Sequence, residues 1–348
     1  MKPNLWQRNG KNNMHTKRYK VLSIGLCILF CVHNSLDAMR QHDKIYVAGH
    51  GGLVGSAIIR ELKAQGYTNI IIRSSKELDL RDQVAVNQFF QEERPDYVFL
   101  AAARVGGIKA NMVSPAVFLY ENLMIEANVI HAAYMYSVKK LLFLGSSCIY
   151  PRLAPQPMKE DYLLTSQLEP TNEGYAIAKI AGLKMCQAYN KQYGTRFITC
   201  MPTNIYGPGD NFNLETAHAL PALMAKMHKA KHEGFEQVVV WGTGNARREW
   251  LYVDDLAQAC VYLMNTYEGN EIVNIGLGQD ISMKDLAFKI REIVGYQGEL
   301  VFDATKPEGM PRKLLDVSKA NGLGWHATVD LSRGLVSTYA WYNTKDKD

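Results

Sequence analysis

A short apolar run that stops at regularly spaced glycines and then turns helical limits this chain to very few folds. Lys44-Ile45-Tyr46-Val47-Ala48 leads into Gly49, Gly52 and Gly55; apolar residues from Leu53 to Ala64 then recur at helical spacing, and Ile70-Ile71-Ile72 follows. Strand, tight turn, helix, strand is the opening unit of a doubly wound parallel sheet. Tyr97-Val98-Phe99-Leu100, Leu141-Leu142-Phe143-Leu144 and Phe197-Ile198-Thr199-Cys200-Met201 repeat the strand signature. Continuous apolar runs of this length, alternating with helices, predict an α/β core of five buried strands. A glycine triplet by itself is often only a loop. Its place between strand and helix predicts a dinucleotide site, with the pyrophosphate at the helix N-terminus.

Helical stretches at 115–136 and 175–193 are apolar on more than one side. A helix that only covers a sheet needs one apolar stripe, so the surplus predicts a second buried face, and we expect a homodimer. After about Asn204 the alternation weakens, although Val238-Val239-Val240-Trp241 and Ile272-Val273-Asn274-Ile275 still read as strands. The expected organisation is an N-terminal extension at 1–38, an NADP-binding Rossmann domain at 39–203, and at 204–348 mainly a smaller substrate-binding lobe. Some segments of that last part are expected to return to the Rossmann core.

Composition excludes several classes. The chain has 348 residues, 47% hydrophobic and 21% charged, which suits a globular protein with a large core. Its formal charge of +5 resides in the first 38 residues, where Lys2, Arg8, Lys11, Lys17, Arg18 and Lys20 face Asp37 alone. The remainder is neutral, which argues against nucleic acid as a partner. The six cysteines lack zinc-type spacing; Cys186, Cys200 and Cys260 lie in apolar stretches and read as small buried hydrophobes. Asp254-Asp255 reads as a helix start, and no metal is expected. The apolar run at 21–32, preceded by basic residues, has the outline of a secretory signal or membrane anchor, though it is short for a span. The other reading is an upstream extension from a misassigned start. Met39 just ahead of the first strand favours the second, as does a need for cytosolic reduced nicotinamide, so a cytoplasmic catalytic part without membrane is expected.

The chemistry is read from Ser146, at the end of the fourth strand, and from Tyr175 and Lys179. Four residues is about one helical turn, so the phenol and the ammonium share a helix face. The cation is expected to lower the tyrosine pKa and make it a usable proton donor to a carbonyl. Where an NAD enzyme carries an acid at the end of the second strand, this chain has Arg73-Ser74-Ser75-Lys76. Cations and hydroxyls there suit a 2′-phosphate, hence NADP.

These motifs resemble the extended short-chain dehydrogenase/reductase family over residues 43–343. The likeness rests on Gly-x-x-Gly-Leu-Val-Gly at 49–55, Gly-Ser-Ser-Cys-Ile-Tyr-Pro at 145–151, Tyr-Ala-Ile-Ala-Lys at 175–179 and Met-Pro-Thr-Asn-Ile-Tyr-Gly-Pro at 201–208. Asp210-Asn211-Phe212, His218, the run from Arg247 to Asp255 and Gly309-Met310-Pro311-Arg312-Lys313 extend it. It is strongest to members that epimerise C3 and C5 of GDP-4-keto-6-deoxy-D-mannose and reduce C4 with NADPH, giving GDP-L-fucose. The resemblance implies cofactor contacts from Gly49, Gly52, Leu53, Val54, Gly55, Arg73, Ser74, Lys76, Ala102, Tyr175, Lys179, Pro202, Asn204 and His218. It implies nucleotide-sugar contacts from Asn204, Trp241, Arg248 and Lys313, and catalysis by Ser146, Tyr175, Lys179, Cys148 and His218. Some members have arginine where this chain has Gly51, and the first 38 residues have no counterpart.

A 4-keto group acidifies the hydrogens on both neighbouring carbons, and inverting such a carbon takes an acid and a base on opposite faces. Cys148 and His218 are suited to that exchange. Two other readings are weighed: a related nucleotide-sugar epimerase or 4,6-dehydratase, and a non-catalytic NADP-binding regulator. Dehydratases of the family carry an Asp-Glu pair where Ser147-Cys148 stands here, and a silent regulator predicts decay of the intact Ser, Tyr, Lys set.

Overall fold

The computed structural model describes residues 38–345, so the expected N-terminal extension lies, apart from Ala38, outside the described residues. The first half runs β1 (Ile45–Ala48), α1 (Leu53–Ala64), β2 (Ile70–Ile71), α2 (Gln83–Glu93), β3 (Tyr97–Leu100), α3 (Ile108–Val113), α4 (Pro115–Met135), β4 (Lys140–Leu144), α5 (Glu173–Tyr193) and β5 (Phe197–Pro202). Every residue of β1, β3, β4 and β5 is buried, because helices cover both faces of the sheet. Lys140 joins them by donating its ammonium to the Met264 carbonyl at 2.8 Å and to Glu268 at 2.7 Å.

The second half runs β6 (Asn204–Tyr206), α6 (Ala219–Glu233), β7 (Gln237–Trp241), β8 (Arg247–Tyr252), α7 (Val253–Thr266), β9 (Val273–Ile275), β10 (Asp280–Ser282), α8 (Met283–Val294), β11 (Glu299–Asp303), β12 (Arg312–Lys313), α9 (Ser318–Gly322) and α10 (Leu331–Lys345). The main sheet has the order β2-β1-β3-β4-β5-β9, every pairing parallel. It therefore has six strands, one more than the five expected of the core: β9, read as a strand at 272–275 but not assigned to this sheet, pairs Val273 with Cys200. The strand order reverses between β1 and β3, which is where such sheets open a crevice at their carboxyl ends.

Two apolar clusters sandwich this sheet. One gathers Phe90, Val129, Phe143, Leu183 and Met201, the other Ile58, Leu62, Phe99, Leu256 and Val273. Helix α7, beyond residue 204, belongs to the second cluster, and Asp254 and Asp255 open its first turn. Asp255 accepts from the backbone of Thr328 and Val329 at 3.1 and 2.9 Å. A third cluster around Leu220, Met224, Trp250, Leu286 and Ile290 supports the smaller sheets, in which β8 lies between β10 and β12 and β11 pairs with β7. Cys186, Cys200 and Cys260 are buried and unbridged, as expected. Among the described residues no helix is long and apolar enough to cross a membrane.

Candidate active site

The glycine turn is built by close contact. Gly49 has φ +82°, and a Cβ there would come within 2.7 Å of the Ala102 backbone at the end of β3. A Cβ on Gly55 would run into the Gly49 carbonyl, so only glycine lets α1 start against the turn. Leu53 and Val54 open α1 behind Gly52, whose position at the helix start brings no side-chain cap, and the first turn contains no acid. The first backbone N–H groups of α1 thus remain available to an anion. Beside them the buried Nδ1 of His50 has no hydrogen-bond partner, an orphaned polar atom at the mouth of the turn. These features fit a dinucleotide pyrophosphate.

The loop after β2 is less free than its sequence suggests. Arg73 donates to Glu93 on α2 at 2.6 Å and to the Ile72 carbonyl at 2.8 Å, and lies over the Phe89 ring. The Ser74 N–H donates to Glu77 at 2.7 Å, while Lys76 is exposed. Hydrogen bonds from Ser74, then the nearby Arg73 and His50, hold Glu77 below its ordinary pKa. The spacing showed the cations of this loop; it did not show that Glu93 already engages Arg73 and that Glu77 engages the Ser74 N–H.

At the carboxyl end of β4, Ser146 begins a single helical turn and its hydroxyl accepts from the Cys148 N–H at 3.2 Å. Tyr175 and Lys179 stand one turn apart on α5, as their spacing requires. The expected lowering of the tyrosine by the lysine is not found. Burial pushes Tyr175 well above its ordinary range, the charges of Cys148 and Glu126 add to this, and only a hydrogen bond with Ser146 opposes it. Besides this burial, local sequence did not reveal a neighbour: Lys179 is 3.0 Å from Glu126 on α4, with both side chains 2% exposed.

Cys148 is half-buried beside Ser146. Its sulfur accepts from Asn172 Nδ2 at 3.2 Å and from Lys313 Nζ at 3.3 Å. Burial raises the thiol pKa, but the Lys313 charge and the hydrogen bonds of Ser146, Lys313 and Asn172 outweigh it, and the net shift is downward. His218 precedes α6, is exposed and makes no capping bond; desolvation of its ring, then the Lys313 charge, hold the imidazole below its ordinary pKa. A cavity of about 320 Å³ adjoins, lined by Asn111, Met112, Pro115, Asn172, Gly174 and Tyr175 among others.

Strand pairing selects one arginine of the pair on β8. Arg248 is in register with Lys313 on β12, while Arg247 turns to Asp280 at 2.8 Å. Arg248 donates to the Glu308 carbonyl at 2.7 Å, and Cys148 and Glu308 both act on its charge. Asn204 donates to the Glu249 carbonyl at 2.8 Å, and Pro202 pairs with Ile275 at the sheet end. Trp241 is exposed at the end of β7, on the strip that runs through Gly242 and Thr243 to Glu308. Sequence reasoning missed Lys226, whose ammonium lies 5.8 Å over the Trp241 ring and whose pKa burial lowers. Its signal was faint, one cation among several two turns along α6. It also missed Asn172 and Glu126, the latter visible as a carboxylate in an otherwise apolar stretch of helix.

Comparison with known proteins adds relatives to this geometry. The model of the NAD dependent epimerase/dehydratase family matches residues 45–276. The chain is 59% identical over 299 residues to GDP-L-fucose synthase 1 of Arabidopsis thaliana, covering 86% of this chain and 93% of that protein. It is 51% identical over 308 residues to GDP-L-fucose synthase of Escherichia coli K12, covering 86% and 96%. A crystal structure of a GDP-L-fucose synthetase from Naegleria fowleri bound to NADP superposes with a TM-score of 0.82 at 29% identity, covering 89% of this chain and 97% of that one.

Proposed function

The chain belongs to the NAD dependent epimerase/dehydratase family, and we propose that it converts GDP-4-keto-6-deoxy-D-mannose to GDP-L-fucose with NADPH. The observation that carries this reading is the Cys148 thiol, held by Lys313 and Asn172 beside Ser146 and Tyr175. A plain ketone reductase needs the serine and tyrosine alone. A second proton-handling group within that cleft is what inversion of the neighbouring carbons adds.

In this mechanism Ser146 and Tyr175 donate hydrogen bonds to the C4 oxygen of the sugar and stabilise the charge that develops there. Cys148 acts as base, since Lys313 favours the thiolate. His218 delivers a proton taken from solvent to the opposite face; its desolvation disfavours the imidazolium, so a proton it gains is readily given up. Each inversion breaks a C–H bond and remakes it on the other side. Bound at the glycine turn, reduced nicotinamide supplies the hydride for C4. Tyr175 then gives its proton to the C4 oxygen, leaving a hydroxyl, and Lys179 holds the ribose beside it. Arg248 and Trp241 take the nucleotide diphosphate end, with Lys226 beside the ring. Lys313 is thus assigned to the thiol rather than to the nucleotide-sugar contact expected of it. The 2′-phosphate is assigned to Arg73, Ser74 and Lys76, in exchange for the contacts with Glu93 and Glu77.

Two further readings accompany this. Val117, Tyr120, Met135, Ile177 and Tyr193 are exposed along α4 and α5, which supports a homodimer through these helices. The demand for NADPH supports a cytoplasmic site of action. The deciding test is incubation with GDP-4-keto-6-deoxy-D-mannose in deuterated water, with and without NADPH. Wild type incorporates label at C3 and C5 before any reduction, and Cys148→Ser or His218→Gln loses it by ~10²-fold or more. Wild-type label incorporation by both variants refutes the assignment of acid and base.

A further inference from the structure

Helix α4 brings to the active site a carboxylate that the reaction above does not employ. Glu126 is 1% exposed and reaches Lys179 Nζ at 3.0 Å. Lys179 also donates to the Leu144 carbonyl, the last residue of β4, at 3.0 Å. An ammonium has three N–H donors. One goes to the Leu144 carbonyl and the ion pair with Glu126 draws on the charge, while the Tyr175 ring centre lies 5.9 Å away.

Room for this carboxylate is made on the facing helix. Gly182 lies three residues after Lys179 on α5, and a Cβ there would come within 2.6 Å of Glu126 Oε2 and 2.7 Å of the Phe143 ring. Neither carboxylate oxygen has a hydrogen-bond partner. The acid is therefore anchored through its ion pair alone, in a dry space that any larger residue at 182 would close. A buried ammonium without a counter-charge would press directly on the adjacent phenol.

We propose that Glu126 is a positioning residue: it takes up the charge of Lys179, pins the ammonium to the end of β4, and keeps Tyr175 a phenol with a proton to give. This rests on the reading of Tyr175 as proton donor. The groups facing Tyr175 are Ser146 and Cys148 from the turn after β4, Glu126 from α4 and Lys179 from its own helix; Glu126 itself faces Lys179 and Cys186. Burial, then the Cys148 and Glu126 charges, favour the protonated phenol, while the Ser146 hydrogen bond alone favours the phenolate. A phenol must survive two inversions as a hydrogen-bond donor and still hold its proton when the hydride arrives. Charge cancellation at Lys179 meets that need.

The test is the alkaline side of the pH profile of kcat for NADPH oxidation with the 4-keto sugar. Glu126→Gln keeps the shape and removes the charge, so Lys179 then favours the phenolate, and the decline of kcat sets in at least about one pH unit below wild type. Glu126→Asp keeps the charge and leaves the onset in place while lowering kcat. Gly182→Ala, which pushes Oε2 off its seat, moves the onset in the same direction as Gln and serves if the Gln variant does not fold. An onset that stays at the wild-type pH in folded Gln or Gly182→Ala enzyme overturns the proposal. A wild type that does not oxidise NADPH with this sugar overturns instead the function assigned above.

Discussion

The centre proposed to handle the ketone and the wall proposed to handle its neighbouring carbons are built in different ways. Ser146, Tyr175 and Lys179 come from β4 and the first turns of α5, with Lys179 buried between α4, α5 and the sheet. Cys148, Asn172, His218, Arg248 and Lys313 arrive from the turn after β4, the start of α5, the start of α6, β8 and β12. The first group is held by packing inside the parallel sheet layers. The second is held by a few hydrogen bonds across the cleft, with Lys313 the shared cation between the thiol and the imidazole. Chemistry common to carbonyl reduction can therefore sit in rigid, local structure. The chemistry that picks out a particular sugar is assembled from distant segments, where loops change most easily.

Three measurements probe this division. The largest effect is expected of Tyr175→Phe, which removes the proton donor from the rigid centre: NADPH oxidation falls by ~10²–10⁴-fold. If the two halves are separable, labelling at C3 and C5 in deuterated water persists at a reduced rate. Reduction at the wild-type rate without the phenol would break the comparison outright.

Lys313→Met acts on the assembled wall. With the cation gone, Cys148 loses the charge that lowers it, so its pKa rises. Alkylation of the peptide carrying Cys148 by iodoacetamide then shifts its midpoint up by about one pH unit, because less thiolate is present at a given pH. An unmoved midpoint removes Lys313 from its place as the activating residue.

The smallest effect belongs to Arg73→Ala at the far end of the cofactor cleft. Since Arg73 already spends its charge partly on Glu93, the preference for NADPH over NADH in kcat/KM falls by about tenfold or less. A preference that does not change returns Arg73 to a purely structural pairing with Glu93.

Legibility followed the same division. The glycine turn, the strands with fully apolar runs and the one-turn spacing of Tyr175 and Lys179 were readable because one strand or one helix sets their geometry. Glu126 was not, since nothing in α4 alone says which residue of α5 it meets. Burial first, then the charges of Cys148 and this carboxylate, raise Tyr175 where the lysine alone was expected to lower it. The same limit hid Lys226 over Trp241 and Glu77 against Ser74, and it hid which sheet the strand read at 272–275 would join.

What the amino-acid order determined by itself was the doubly wound sheet, the position of the glycine turn and the spacing of Ser146, Tyr175 and Lys179. Each is a consequence of fixed rise and turn within one element, or of glycine where a Cβ has no room. The tertiary structure alone decided the state of those side chains: which arginine of the pair at 247 and 248 faces the cleft, which cation holds the thiol, and which carboxylate neutralises the lysine. Those outcomes depend on burial and on charges brought within a few ångströms by chain segments far apart in sequence. A pKa responds to that distance and to the water excluded, and neither is written in local spacing.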